Sequence, residues 1–378
     1  MHRRDILKQA GAAMIASQIP QAAFAQTSAQ TSAAAWDTAT LEAAAAVMND
    51  WTRDGRVLGA SILVQQGANQ FYRNYGAAQG GAPVFLLASI TKPMTAAAVM
   101  TLVDAGKLSL DDTVTRFFPT FTGGGREAIT IRHCLTHTSG LPDMLPDDEL
   151  LREKKAPLTA YRDGALVAPL KFKPGSSYSY SSMGILFCAQ IAEMLSGKAF
   201  PQFLADTVFT PLGMTNTTLG LGGRDKSATV PSQAIPANTP AGKQSWKDWN
   251  WNSDYWRGLA APWGGALGPA TDIVKFYDEF LRKRGRILKP ATEALMIVNQ
   301  SPPGVHPRGL GFDVAPGAGS PGCSPATFGH NGSTGTLSWC DPATGTICVV
   351  LTTLYEAAVK PHPMRLVSEL VAKATAKA

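Results

Sequence analysis

The chain has 378 residues, 45% of them hydrophobic and 16% charged, with a formal net charge of +6. That length and apolar content suffice for a large buried core, and no run of like charge or low-complexity tail marks a disordered protein. The basic excess is scattered, without the basic stripes and interleaved aromatics of a nucleic-acid-binding surface, so no nucleic-acid partner is expected.

The first 25 residues, MHRRDILKQAGAAMIASQIPQAAFA, differ in kind. Arg3 and Arg4 lead into a short apolar run and then Ala23-Phe24-Ala25. This is the layout of a cleaved export signal. The arginine pair suggests the twin-arginine route, so a periplasmic or secreted location is expected. Gln18 and Pro20 make the run a poor membrane span, and no stable span is expected after its removal. Residues 26–35, rich in Ser, Thr, Ala and Gln, read as a flexible tether.

Leu41, Ala44, Ala45, Met48 and Trp51 fall on one helical stripe, which predicts a helix over 38–53. VLGASILVQQG and QFYRNYG read as two strands around a turn near Gly67-Ala68-Asn69. In LLASITKPMTAAAVMTLVDAGKL, Pro93 is tolerated only in a first turn, which places a helix start near Ser89 and an end near Gly106. Residues 107–259 are mostly helices and loops. From Gly264 a turn and helix lead to short β segments, GLGFDVA, TFGHNGS, GTLSWCD and TICVVLTTLY, and to a terminal helix, PMRLVSELVAKATAKA.

Strands from both ends of the chain must pair to bury their apolar faces. The predicted class is therefore α+β: an antiparallel sheet flanked by N- and C-terminal helices, with an inserted, mostly helical lobe. Residues 36–378 would be the folded domain, its α/β lobe about 36–106 plus 260–378 and its helical lobe about 107–259. Of five cysteines, Cys134 and Cys188 sit in apolar helical patterns and read as buried thiols. Cys340 and Cys348 flank the turn DPATG, and the register of that hairpin decides whether they bridge.

Chemistry enters with Ser89 and Lys92. Three residues apart, they lie on one helix face, at a helix end whose free N–H groups favour negative charge. As a plain N-cap, Ser89 would be followed by Glu or Gln at the third residue on; Lys92 has the wrong sign for the dipole. Partial burial beside that positive end would lower the lysine pKa, and a neutral amine beside a hydroxyl activates it as a nucleophile. Other signals are weaker. His133 and His137 have metal-ligand spacing but no evident third ligand, so no metal is expected. GGALG and TGGGRE lack the Lys-Ser/Thr of a phosphate loop, and no Gly-x-Ser-x-Gly surrounds a candidate nucleophile. SWKDWNWNSDYWRG, residues 245–258, holds four of eight tryptophans and reads as an aromatic rim or as a loop folding its rings inward.

ASITKPMTAAAVMTLVDAGKLSLDDTV, LTHTSGLPD, FTPLGMTNTTLG and GGALGPATDIVKF, in this order, resemble the serine β-lactamase and penicillin-binding-protein superfamily. The resemblance is closest to the class C β-lactamase, family VIII esterase and D-aminopeptidase-like branch, and covers about residues 38–372. It implies Ser89 as nucleophile, Lys92 as its partner and Tyr180, in KPGSSYSYSSMGILF, as the phenol of the family's Tyr-Ser-Asn motif. Tyr178 falls at a bulky aromatic position. Ser182 stands where the family has the Asn that binds an acylamido carbonyl, which tilts the expected substrate from β-lactams or D-amino-acid peptides toward small esters. His330-Asn331-Gly332 replaces Lys-Thr-Gly. His330 would be a substrate-side donor, Gly332 would let substrate approach the backbone, and the N–H of Ser333 would join that of Ser89 as an oxyanion donor. The resemblance thus implies a serine hydrolase with a small-molecule acyl substrate and no cofactor. The alternatives are a β-lactamase, a D-amino-acid peptidase or a non-hydrolytic penicillin-binding cell-wall sensor.

Overall fold

The described part of the computed structural model is residues 36–233 and 250–376. The expected export signal (1–25), the tether (26–35) and residues 245–249 of the tryptophan-rich segment lie outside the described residues. The apolar stripe near the start forms helix α1 (Thr38–Arg53), which buries Leu41, Ala44, Ala45 and Met48 and is capped by Asp37. Strands β1 (Gly59–Gln66) and β2 (Asn69–Gly76) follow as a hairpin. Gly67, at φ +60°, supplies the left-handed residue that a two-residue hairpin turn requires first.

After the short strand β3 (Phe85–Leu86) comes helix α2 (Thr91–Asp104). The middle of the chain contributes α3 (Ile131–Leu135), α4 (Asp148–Glu153), α5 (Leu158–Val167), α6 (Ser182–Ser196), α7 (Phe200–Leu204) and β4 (Thr218–Leu219). Next are α8 (Asp254–Leu259), β5 (Ala266–Gly268), α9 (Ala270–Arg282) and α10 (Pro290–Met296). The chain closes with β6 (Asp313–Val314), β7 (Phe328–Gly332), β8 (Thr336–Asp341), β9 (Thr346–Thr352) and α11 (Pro363–Thr375).

The main sheet is antiparallel, in the order β2-β1-β9-β8-β7-β6, so β1 from the N-terminal end pairs with β9 from the C-terminal end, as predicted. Alternation sorts its side chains onto two faces. Ile62, Val64, Trp339, Cys348 and Val350 face α1 and α11, which pack on each other. Leu63, Cys340, Ile347, Val349 and Leu351 belong to the larger core that contains α2, α6 and α9. Each fully buried aliphatic side chain of this kind contributes roughly 1.5–3 kcal/mol.

Two expectations change. GLGFDVA shrinks to the two-residue β6. Gly311, at φ +81°, leaves the strand so that the chain can press against α2, where a Cβ would meet that of Ala96 at 2.5 Å. A second sheet, β3-β5-β4, was not foreseen; its two- and three-residue strands carry no periodicity. It anchors the segment just before Ser89. Among the described residues no helix is long and apolar enough to cross a membrane.

The hairpin register settles the cysteines. Cys340 pairs with Ile347 and Trp339 with Cys348, so the two thiols emerge on opposite faces of the sheet and remain free. Cys134 and Cys188 are buried free thiols side by side, and the hydrogen bond with Cys134, then burial, raises the Cys188 pKa well above its usual value. The denatured, unreduced protein is therefore expected to react with thiol reagent at all five cysteines; a mass corresponding to three would contradict this register.

Candidate active site

Ser89 lies in a 3-10 turn, Ala88–Ile90, one step ahead of the regular helix, which starts at Thr91 rather than at Ser89. The turn is strained: Ala88 has φ +48°, a left-handed conformation that costs a non-glycine residue about 1–3 kcal/mol. Neighbouring strands hold it in place. The Thr91 hydroxyl donates to the Ala88 carbonyl at 2.6 Å and accepts from the Ala266 N–H at 3.0 Å. Thr334 and Thr336 donate to the carbonyls of Leu86 and Leu87, each at 2.9 Å. A half-exposed serine is thereby presented on a rigid turn at the wall of a cavity of about 500 Å³.

The lysine that seemed misplaced at a positive helix end is buried, only 1% exposed. Its Nζ donates to Ser89 Oγ at 3.2 Å and to the Trp263 carbonyl at 2.8 Å. Desolvation is the main reason its pKa falls to about 7; the Arg308 cation pushes the same way and Asp143 opposes. The Tyr180 hydroxyl hydrogen-bonds Ser89, and Lys92 Nζ sits 4.6 Å from the phenol ring centroid. Burial raises the Tyr180 pKa above the usual phenol range, so this hydroxyl keeps its proton at neutral pH.

The remaining expected residues divide. Ser182, Ser333 and His330 line the cavity with Ser89 and Tyr180. His330 on β7 is buried, and its Nδ1 donates to the Asn331 carbonyl at 2.7 Å, which leaves Nε2 toward Arg308 at 3.5 Å. Burial and the Arg308 charge hold its pKa well below the ordinary histidine value, so the ring is neutral. The Ser182 hydroxyl donates to Asp143 Oδ1 at 2.7 Å, and its N–H donates to the same oxygen at 3.0 Å. Gly332 is not at the cavity wall. A Cβ there would meet the Leu87 carbonyl at 2.6 Å and the Ala88 Cβ at 3.0 Å. Its missing side chain lets β7 close on the serine turn.

His133 and His137 serve the scaffold. His133 Nδ1 accepts from the Thr130 N–H at 3.2 Å and completes the capping box of α3. His137 Nδ1 accepts from the Ser181 N–H, and its ring packs 4.5 Å from that of Tyr180. Among the described residues no three His, Cys, Asp or Glu side chains group as metal ligands. Trp251 and Trp256 from the tryptophan-rich segment line the cavity, joined by Trp263 and Tyr355.

Sequence reasoning missed Asp143, Arg308 and Asp313, which also line the cavity. Asp143 closes the quoted segment LTHTSGLPD, so that segment carried a signal for it. Arg308 is 1% exposed and ion-paired with Asp313. Nothing local distinguishes it from a surface arginine.

Burying Lys92 carries a stability cost with a definite pH dependence. An unfolded lysine holds its proton up to the ordinary value of 10.5 and the folded one only to about 7. Between these values the unfolded state binds the extra proton, so stability rises with pH across that window, and the full cost is present at pH 7 and below. Lys92→Met is expected to stabilise the fold by about 1–3 kcal/mol at pH 7, raising Tm by a few degrees, with the gain shrinking toward pH 10. Thermal melts at pH 6, 8 and 10 check this; a Tm gain that does not decline with pH contradicts it.

A Beta-lactamase family model matches residues 26–371. The esterase EstB of Burkholderia gladioli is 33% identical over 192 residues, 45% of this chain and 49% of that protein. Protein flp of Staphylococcus aureus (strain MW2) is 29% identical over 175 residues, 43% of this chain and 35% of that protein. The chain thus spans half or less of the length of these relatives. Among solved structures, EstCE1, described as a hydrolase with promiscuous acyltransferase activity, superposes with a TM-score of 0.68 at 23% identity, covering 87% of this chain and 98% of its own. The D-amino acid amidase of Ochrobactrum anthropi SV3 gives a TM-score of 0.70 at 22% identity, over 89% and 97% of the two chains. The chain belongs to the β-lactamase family of the serine β-lactamase and penicillin-binding-protein superfamily, a serine-hydrolase-like family.

Proposed function

We propose that this chain is an exported serine hydrolase that forms an acyl-enzyme on Ser89 and acts on small, uncharged esters or related acyl compounds. The observation that carries the reading is the contact of Ser89 Oγ with both a buried amine of pKa about 7, at 3.2 Å, and a protonated phenol. Export rests on the N-terminal 25 residues of the sequence.

In the first step Ser89 Oγ attacks the carbonyl carbon and its proton passes to the neutral Lys92 amine. The N–H groups of Ser89 and Ser333 would receive the developing oxyanion; such a donor is typically worth about 3–4 kcal/mol. The proton on Lys92 then passes through the Tyr180 hydroxyl to the leaving alkoxide. Water completes the cycle by attacking the acyl-enzyme: its proton passes through Tyr180 to the neutral Lys92 amine and then to the departing Ser89 Oγ, which releases the acid and restores the hydroxyl. The high proton affinity of the phenol favours Lys92 as the resting base and Tyr180 as the relay. The two act as a unit, so the pH profile reports the pair.

Three features favour esters over β-lactams and D-peptides. The Ser182 hydroxyl is engaged by Asp143. His330 is neutral. The charged side chains of the wall other than Asp143 are matched: Arg308 with Asp313, Arg152 with Asp148 at 2.8 Å, and Glu356 with Arg365 at 2.7 Å. A substrate carboxylate would have to displace one of these pairs, whereas the tryptophan and tyrosine walls suit an apolar acyl or aryl group. The named activity of the relative EstB agrees with this choice.

The test uses purified protein lacking residues 1–25 with a short-chain aryl ester, a chromogenic cephalosporin and a D-alanyl peptide. Sustained ester turnover is expected, reduced by about 10³-fold or more in Ser89→Ala. Because Lys92 must be neutral to accept the proton, kcat/KM should rise with pH through about 7 and then level off. An undiminished Ser89→Ala variant overturns the nucleophile. Cephalosporin turnover without ester turnover reverses the substrate assignment, and one stoichiometric burst without turnover identifies a sensor.

A further inference from the structure

Among the described residues three carboxylates line the cavity: Asp143, Asp313 and Glu356. Asp313 is ion-paired with Arg308, and Glu356 is bound by Arg365 and by the Asn331 amide. Asp143 is held differently, by neutral donors. Its Oδ1 accepts both the N–H and the hydroxyl of Ser182, at 3.0 and 2.7 Å. Its backbone carbonyl accepts the same Ser182 N–H at 3.2 Å, and the Ser181 hydroxyl donates to the Pro142 carbonyl at 2.9 Å. Four contacts therefore staple this loop onto the first residues of α6, immediately after Tyr180. They fix the carboxylate beside the Ser89–Lys92–Tyr180 cluster, and no cation among the described residues is bonded to it.

The groups that act on the Lys92 amine come from several elements. Asp143 approaches from the loop before α4 and Arg308 from the loop after α10. Tyr180 comes from the turn before α6. His137 and His330, both neutral, lie within electrostatic range of it from the end of α3 and from β7. Burial drives the amine toward its neutral form, and the Arg308 cation, although ion-paired with Asp313, pushes the same way. Of these groups Asp143 is the one that opposes, favouring the protonated amine. A lysine with too little proton affinity would be a poor acceptor from a serine hydroxyl, so an opposing charge of fixed geometry has a use.

We propose that Asp143 is a positioning residue for the reaction: its carboxylate, aimed by Ser182, sets the electrostatic environment of the Lys92 amine and so keeps that amine a competent proton acceptor near neutral pH. This rests on the reading of Lys92 as the base. Ser182 then acts through Asp143 rather than through the substrate. Asp143→Asn removes the charge while its amide oxygen still accepts from Ser182, and Ser182→Ala keeps the charge but removes one of the contacts that aims it.

The test is the pH profile of kcat/KM for a short-chain aryl ester in the parent, Asp143→Asn and Ser182→Ala, with thermal melts alongside. In Asp143→Asn the acid limb is expected to move to lower pH by about half a unit or more, with a lower plateau, because an opposite charge no longer favours the ammonium. Ser182→Ala should move it the same way by a smaller step. Variants that lose rate or Tm while the limb stays at the parent position make Asp143 purely structural and overturn the proposal. Should Asp143→Asn fail to fold, the Ser182→Ala limb decides alone. Failure of the underlying reading looks different: the parent would then show no acid limb near pH 7, or Ser89→Ala would retain activity.

Discussion

The structure depends on keeping a lysine amine out of water beside a serine hydroxyl. Water would restore the amine to its ordinary proton affinity, and it would then donate to Ser89 rather than accept from it. Lys92 is 1% exposed, and its Nζ has the Trp263 carbonyl on one side and Ser89 Oγ on the other. Everything around it serves that burial. Helix α2 is covered on all faces, with Thr91, Lys92, Pro93, Met94 and Thr95 all buried in its first turns. The Thr95 hydroxyl donates to the Pro262 carbonyl at 2.6 Å, tying the helix to the segment that supplies the lysine's acceptor. The anomaly of a cation at the positive end of a helix is thus resolved by lowering the amine's proton affinity rather than by pairing its charge.

Such a site needs a frame that does not relax. The turn that carries Ser89 holds a left-handed Ala88, and strained backbone persists only where its surroundings over-determine it. Here the surroundings are the two sheets. β5 bonds to Leu87 and to Thr91, while threonines at the β7–β8 turn and on β8 bond to Leu86 and Leu87. Because β1 pairs with β9, chain segments nearly 300 residues apart close the main sheet, and its far edge delivers His330 and Ser333 to the cavity. Gly332 belongs to this frame, since any side chain would push β7 off the turn.

Charge pairing in the cavity wall bears on the proposed substrate class. Arg308, Arg152 and Glu356 each face an opposite charge supplied by the protein itself. The first two pairs are largely buried and the Glu356–Arg365 pair is partly exposed, and each matches its charge within the protein rather than offering a free ion to a ligand. The aromatic faces of Trp251, Trp263 and Tyr355 then dominate the cavity's chemistry. Asp143 is the exception, and it lies next to the amine whose proton affinity matters most.

Features with local physical causes were legible in the residues alone. Apolar periodicity placed α1, β1 and β2; Pro93 marked the start of α2 to within two residues; and the wrong-signed lysine after Ser89 pointed to chemistry. The spaced motifs pointed to the family. Only tertiary structure decided the rest, because it depends on residues far apart in the chain. Cys340 and Cys348 were undecided until the pairing of β8 with β9 sent them to opposite faces. Ser182 was read as a substrate contact, and only the fold shows that its hydroxyl also donates to Asp143. Arg308 was an arginine like any other until Asp313, Tyr180 and His330 closed around it. A short-range pattern reports the backbone's preferences and one face of one element. Which side chains share a low-dielectric pocket is set by long-range packing, and that packing sets the proton affinities on which this site depends.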